Sequence, residues 1–238
     1  MLFRKLLIAF VMSALMLTGC SGSSETNESL PSSSDVYEDP SDSAEIEVVA
    51  INYDIVSSTS RYNDISVLVV VRNTGAANAY LENASIDIEK DGTLVDVIDY
   101  IEPSPRILSP GKLAFYAYHS ITDLSANIEY DIIPYGEFHT TDQPSTTLEV
   151  EQFHISDFKY GGIEFIGRVQ NSTSDEIFDP HIAFIAFDDG GVPVWGCNYS
   201  FSSIPANSNG SFKFHYTSTP PFDSVEDIAN YTYYAYSD

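Results

Sequence analysis

The chain has 238 residues, 35 of them acidic and 10 basic, for a formal net charge of −25. That balance argues against nucleic acid as a partner and against a surface that lies on anionic headgroups, since both need Lys and Arg. The plain reading of such acidity is solubility of an exposed protein.

The chain opens with Arg4 and Lys5, followed by an apolar run of 12 residues from Leu6 to Leu17. A basic start, a short apolar run and a small-residue cut site form a secretory signal peptide. The run is short of the roughly 20 residues a membrane-spanning helix needs, and no later segment approaches that length. Leu17-Thr18-Gly19-Cys20 resembles the lipobox of bacterial lipoproteins. The resemblance implies removal of residues 1–19, lipidation of Cys20 with palmitate-type acyl chains, and an extracytoplasmic protein anchored to the cell membrane. An ordinary signal peptide with a Cys near its cut site is the alternative. One acyl chain holds a protein only marginally, whereas two or more give a stable anchor. Without Arg4 and Lys5 the mature chain keeps 8 basic against 35 acidic residues, a net charge of −27. Ser21 after the Cys is compatible, by resemblance to lipoprotein sorting rules, with outer-membrane sorting in a cell with two membranes.

Residues 20–45 read as the lipidated Cys and a disordered tether. Glu25, Glu28, Asp35, Glu38, Asp39, Asp42 and Glu45 carry its charge and no basic residue offsets them. Few apolar residues and high charge cannot offset the entropy of ordering the chain. A flexible segment of this length spans about 25–30 Å.

From residue 46 short runs of Val, Ile, Tyr and Phe alternate with turn residues. Ile65–Val71 is closed by Asn73-Thr74-Gly75, and Thr93–Ile98 follows Asp91-Gly92. Many short strands with regular turn signals predict an all-β fold, built as a sandwich. A repeat sits in this region. Val71-Arg72-Asn73-Thr74 matches Val169-Gln170-Asn171-Ser172, and Asp91-Gly92 matches Asp189-Gly190, at an offset of 98. At that offset Val97 meets Trp195; one residue further on, Gly111 and Phe115 meet Gly210 and Phe214. The expectation is two tandem β-sandwich domains, 46–138 and 148–238, joined by a linker over His139–Thr147. In that scheme Asn73 and Asn171 favour turns at strand ends, the Asp-Gly pairs make hairpin turns with positive φ, and Phe115 and Phe214 fill cores.

In the second copy Gly167-Arg168-Val169-Gln170-Asn171 precedes Phe184-Ile185-Ala186-Phe187-Asp188, Gly190-Gly191, Ile204-Pro205 and Gly210–Phe214. This resembles the FxLYD domain of bacterial envelope proteins, with Ala186 for its Leu and Phe187 for its Tyr. The first copy departs further, with Ile86-Asp87-Ile88-Glu89-Lys90, but keeps Ser109-Pro110-Gly111 and Phe115. The resemblance implies compact Ig-like sandwiches and brings no catalytic residues and no cofactor.

The residues themselves offer little chemistry. His119, His139, His154, His181 and His215 show no zinc spacing, and neither a Gly-x-Ser-x-Gly elbow nor a phosphate-binding glycine loop is present. Cys197 lies in an apolar-polar alternation with no nearby base and reads as core. Asp175, Glu176 and Asp179 with His181, or Asp188 and Asp189, offer oxygen ligands for Ca²⁺ but match no EF-hand loop; a solvated acidic loop is the plainer reading, and no metal is assigned. Tyr231 and Tyr233 fall on one face of a final strand, Tyr234 and Tyr236 on the other. Those four and Trp195 are the candidate ligand surface, against a plainer reading as packed edge residues.

Together these features predict a non-enzymatic, lipid-anchored envelope protein that binds or scaffolds another envelope protein. A glycan- or wall-binding module using exposed aromatics is the first alternative, and an enzyme with an unrecognised carboxylate site the second.

Overall fold

The computed structural model describes residues 43–57, 62–159, 161–216 and 224–237. The expected leader, Cys20 and the tether to residue 42 lie outside the described residues. The protein is all-β, with several antiparallel sheets. The last tether residues already belong to the fold: Ala44 is buried, and Ser43 and Glu45 carbonyls accept from Ala76 and Thr74.

The first half contains β1 (Ile46–Ser57), β2 (Asn63–Asn73), β3 (Asn78–Leu81), β4 (Ala84–Lys90) and β5 (Thr93–Ile101). Then come β6 (Pro103–Ser104), β7 (Ile107–Leu108), β8 (Leu113–Thr122), β9 (Asp131–Tyr135) and β10 (Phe138–Thr141). The second half contains β11 (Thr146–Asp157), β12 (Ile163–Asn171), β13 (His181–Phe187), β14 (Pro193–Ser200), β15 (Ser208–Tyr216) and β16 (Asn230–Ser237). The expected linker is mostly strand, because β10 pairs with β3 and Thr146 already pairs with β16.

Strand pairing repeats between the halves. β1-β2-β8 corresponds to β11-β12-β15, and β5-β4-β9 to β14-β13-β16. In each half the two sheets close over an apolar cluster. Val67, Val69, Val71, Ile86, Ile88 and Ile132 belong to the first cluster; Phe165, Val169, Phe184, Trp195, Phe212 and Ala235 belong to the second. One difference lies at the seam. In the second half Thr146–Leu148 pair with Ser237–Ala235 and join the two sheets into one of six strands. In the first half β1 and β9 do not pair. Pro134 in β9 has no N–H to offer a neighbour, which confines it to an edge strand.

Two register expectations need correction. Asp91 and Gly92 both have positive φ, as a two-residue hairpin requires. In the second half the loop is longer, and Gly191 rather than Asp189-Gly190 takes the positive φ. The extra residue shifts the following strand by one. Asp87 pairs with Val97 where Ile185 pairs with Gly196, so Val97 corresponds to Gly196 and not to Trp195. A one-residue slip moves every side chain to the other face, and Val97 is exposed while Trp195 is buried. Likewise Val70 pairs with Phe115 where Arg168 pairs with Ser211. Phe115 therefore faces away from the first core, whereas Phe214 does fill the second.

A third apolar cluster explains where Phe115 goes. Leu68, Val70 and Phe115 from the outer face of β2 and β8 pack on Ala183, Ile185 and Tyr236 from the outer face of β13 and β16. The sheets therefore stack in the order β5-β4-β9, β1-β2-β8, β14-β13-β16, β11-β12-β15, with an apolar layer in each gap. The central strands of the two inner sheets, β2 and β13, are buried on both faces.

Candidate functional site

The aromatic residues expected at a ligand surface converge on the contact between the halves and on the second core. Trp195 is 1 % exposed, so it corrects the expectation of an exposed platform: its indole packs edge-on to Tyr216 at 5.3 Å and to Phe184 at 6.1 Å. Tyr236 is buried and stacks on His181 at 5.1 Å. Tyr234 is half-buried, with its hydroxyl donating to the carbonyl of Ser104 at 2.8 Å. Burial, and secondarily Tyr236, pushes the Tyr234 hydroxyl well above its usual pKa. Both tyrosines face the first half, and the Tyr234 hydroxyl is engaged there. Tyr231 and Tyr233 lie on the opposite, core-side face, at 38 % and 37 % exposure. Tyr233 stacks on Phe153 at 3.8 Å, and Tyr231 on Phe184 at 5.3 Å. The β16 alternation thus serves two packing surfaces, with partial exposure left at Tyr231 and Tyr233.

The contact between halves has a polar margin. His119 Nε2 lies 3.1 Å from the Gly196 carbonyl. A carbonyl only accepts, so Nε2 carries the proton and Nδ1 is left as a buried acceptor without a partner. Burial lowers the pKa of His119, and the Gly196 carbonyl partly opposes that. Its ring sits 5.0 Å from Tyr216 and 5.9 Å from Trp195. Asn198 donates to Ser104 Oγ at 2.6 Å, and Asn52 donates to the Pro193 carbonyl. Gly196 permits the close approach, because a Cβ there would stand 3.0 Å from Leu68 and 3.2 Å from the Phe184 carbonyl.

The acidic residues considered for Ca²⁺ do not assemble. Asp188 Oδ1 accepts from the Gly190 and Val192 amides and so caps its own turn. Glu176 accepts from Ser203, and Asp179 from Ser200. Among the described residues no three His, Cys, Asp or Glu side chains are placed to share an ion. Asp179 also lies 3.4 Å from His181 Nε2. This Ser-Asp-His neighbourhood has the carboxylate in the middle. A nucleophilic serine needs the imidazole against its hydroxyl and the carboxylate behind, so Ser200 here donates to Asp179 and is not activated. Hydrogen bonding from Ser200 lowers the Asp179 pKa. Cys197 is fully buried in the second core and burial pushes its thiol well above the usual range, the reverse of a reactive cysteine.

Sequence reading missed Leu68, Val70, Ile185 and Gly196 at this contact, placed Phe115 in a core and weighed His119 only for zinc. A signal for them existed. Val67–Val71 and Ile182–Phe187 are unbroken apolar runs, whereas β4 alternates Ile86 and Ile88 with Ser85, Asp87 and Glu89. Strands buried on both faces read as continuous apolar runs. No protein-family model matches the chain, and no curated protein matches it.

Proposed function

We propose that the protein is a lipid-anchored, extracytoplasmic envelope protein whose two FxLYD-like, Ig-like sandwich domains form a non-catalytic binding or scaffolding unit. The observation that carries this reading is Leu17-Thr18-Gly19-Cys20 at the end of a 12-residue apolar run. Anchorage at Cys20 holds the folded part near a membrane through an acidic segment that anionic lipid repels. The repeated pairing of β1-β2-β8 and β11-β12-β15 supports tandem domains. The non-catalytic part rests on Cys197, buried with a raised pKa, and on the unactivated order of Ser200, Asp179 and His181. The test is Cys20→Ala in the full chain. Membrane retention after carbonate extraction is expected to fall to background, with the variant recovered as soluble protein; unchanged retention would reject the anchor.

A glycan-binding reading is favoured by one observation, the partial exposure of Tyr231 and Tyr233. It predicts retention on isolated cell wall that soluble glycan reverses and that Tyr233→Ser abolishes. Retention of neither protein sinks it.

A further inference from the structure

Four sheet faces point away from the two cores. Those of β1-β2-β8 and β14-β13-β16 bury one another. The outer face of β11-β12-β15 is mostly polar, with Glu149, Glu151, Glu164, Arg168, Gln170 and Lys213 on it around the exposed Ile166. The outer face of β5-β4-β9 is different. Its central strand carries Asp87 and Glu89, and the flanking strands set apolar groups beside them. Asp87 lies between Val97 and Ile133, and Glu89 between Leu94 and Asp131. Leu94, Val95, Val97 and Tyr135 are 42–52 % exposed. These apolar groups flank the carboxylates of β4 on both sides, and the Tyr135 hydroxyl donates to Asp87; exposed apolar surface set among polar groups marks interaction sites.

This face is the first-half counterpart of the one by which the second half docks. Tyr135 stands at the position of Tyr234, and Val97 at that of Gly196. Ser85, Asp87 and Glu89 replace Ala183, Ile185 and Phe187. Glu89 and Asp131 are directly opposed like charges, an unfavourable pairing on a strand ladder. No Lys or Arg among the described residues pairs with either. A cation between them would relieve that repulsion.

We propose that the outer face of β5-β4-β9 docks an extended segment of a partner protein in which Lys or Arg alternates with apolar residues. The cations lie over Asp87, Glu89 and Asp131, and the apolar side chains over Leu94, Val97 and Tyr135. Val97 in place of Gly196 keeps a whole sheet from approaching as closely as β1-β2-β8 does in the other half, which favours a single segment. A second copy is disfavoured, because its open sheet face carries Glu149, Glu151 and Glu164 against Arg168 and Lys213, and Lys213 is paired with Glu164 at 2.7 Å. The proposal rests on the reading of the protein as a binding unit and names the surface and partner chemistry.

The test uses the full chain in the organism that makes it, with a photoreactive benzophenone amino acid at position 97, or at position 166 on the opposite outer face as control. Expected is a position-97 adduct whose crosslinked peptide holds Lys or Arg interleaved with apolar residues. A synthetic peptide of that sequence should bind the purified chain, and Asp87→Asn with Glu89→Gln should weaken it at least tenfold. Glu149→Gln with Glu151→Gln, which removes equal charge elsewhere, should leave it within twofold. An equal loss in both pairs overturns the proposal, as does a position-97 adduct to lipid, glycan or the same chain. Protein adducts at position 166 alone overturn this surface while leaving the binding reading intact. Absence of protein adducts at both positions overturns the surface and counts against the binding reading as well.

Discussion

At the residue scale the repeat is held by two buried asparagines. Asn73 and Asn171 are 0 % and 1 % exposed at the ends of β2 and β12. Asn73 Nδ2 donates to the Ala77 and Leu108 carbonyls, both at 2.8 Å, while its Oδ1 accepts from Gly75 N. Asn171 repeats the arrangement with Asp175, Ile204 and Pro205 carbonyls and with Thr173 N. Each side chain ties a strand end to a distant segment; around Asn171 the Asp175, Ile204 and Pro205 carbonyls also accept from Thr173 Oγ1, Ile177 N and Ser208 Oγ. Each hydrogen bond contributes about 1 kcal/mol net, and Asn171 donates three. Asn171→Ala is therefore expected to lower unfolding free energy by about 3 kcal/mol, read as a shift in urea midpoint at unchanged m. Asn171→Asp should be at least as damaging, since a carboxylate cannot donate to three carbonyls. The Val-x-Asn repeat in the sequence pointed to these positions as turn residues at strand ends. Their burial depends on Leu108 in β7 and on residues 204–205, which are distant in sequence.

At the element scale β8 shows why strand identity alone is not enough. Its core-facing Tyr116 and its outward Phe115 are both buried, on opposite sides. Further along the outward row, His119 reaches the Gly196 carbonyl of the second half. Burial keeps this histidine's folded pKa below its ordinary 6.5. The unfolded chain therefore binds the proton first as pH falls. Stability from neutral His119 is fully present above pH 6.5 and declines as pH falls from there towards the folded pKa. Asp54, raised by burial, acts oppositely: folding takes up its proton as pH falls towards the carboxylate range. Thermal melts between pH 7.5 and 5 should show a decline that His119→Gln flattens, since Gln keeps a donor and does not titrate. A decline of equal slope in the variant would assign it to other groups.

At the scale of the molecule the third apolar layer makes the halves interdependent. Phe115 is 1 % exposed between them, and Phe115→Ala in a packed layer costs about 3–5 kcal/mol. Unfolding of the full chain is expected to follow one transition in urea, monitored together by Trp195 fluorescence and far-UV dichroism. Phe115→Asp places a charge in that layer and should split the curve. Trp195, whose ring belongs to the second core, would then report one transition and dichroism two. Coincident curves in the variant would mean that the halves do not unfold separately.

The sequence by itself determined the all-β class. It also contained the repeat, the core placement of Cys197 and the Asp91-Gly92 hairpin, because period-two patterning, turn residues and a small buried thiol act locally. It could not determine register after Asp188, since one inserted loop residue leaves composition unchanged yet reverses every side chain that follows. Nor could it say which outward faces meet. Trp195 and Tyr236 look like ligand aromatics until the stacked sheets bury them, and His119 looks ordinary until Gly196 arrives from 77 residues away. Burial is a property of neighbours brought together by folding, and only the tertiary structure decides it.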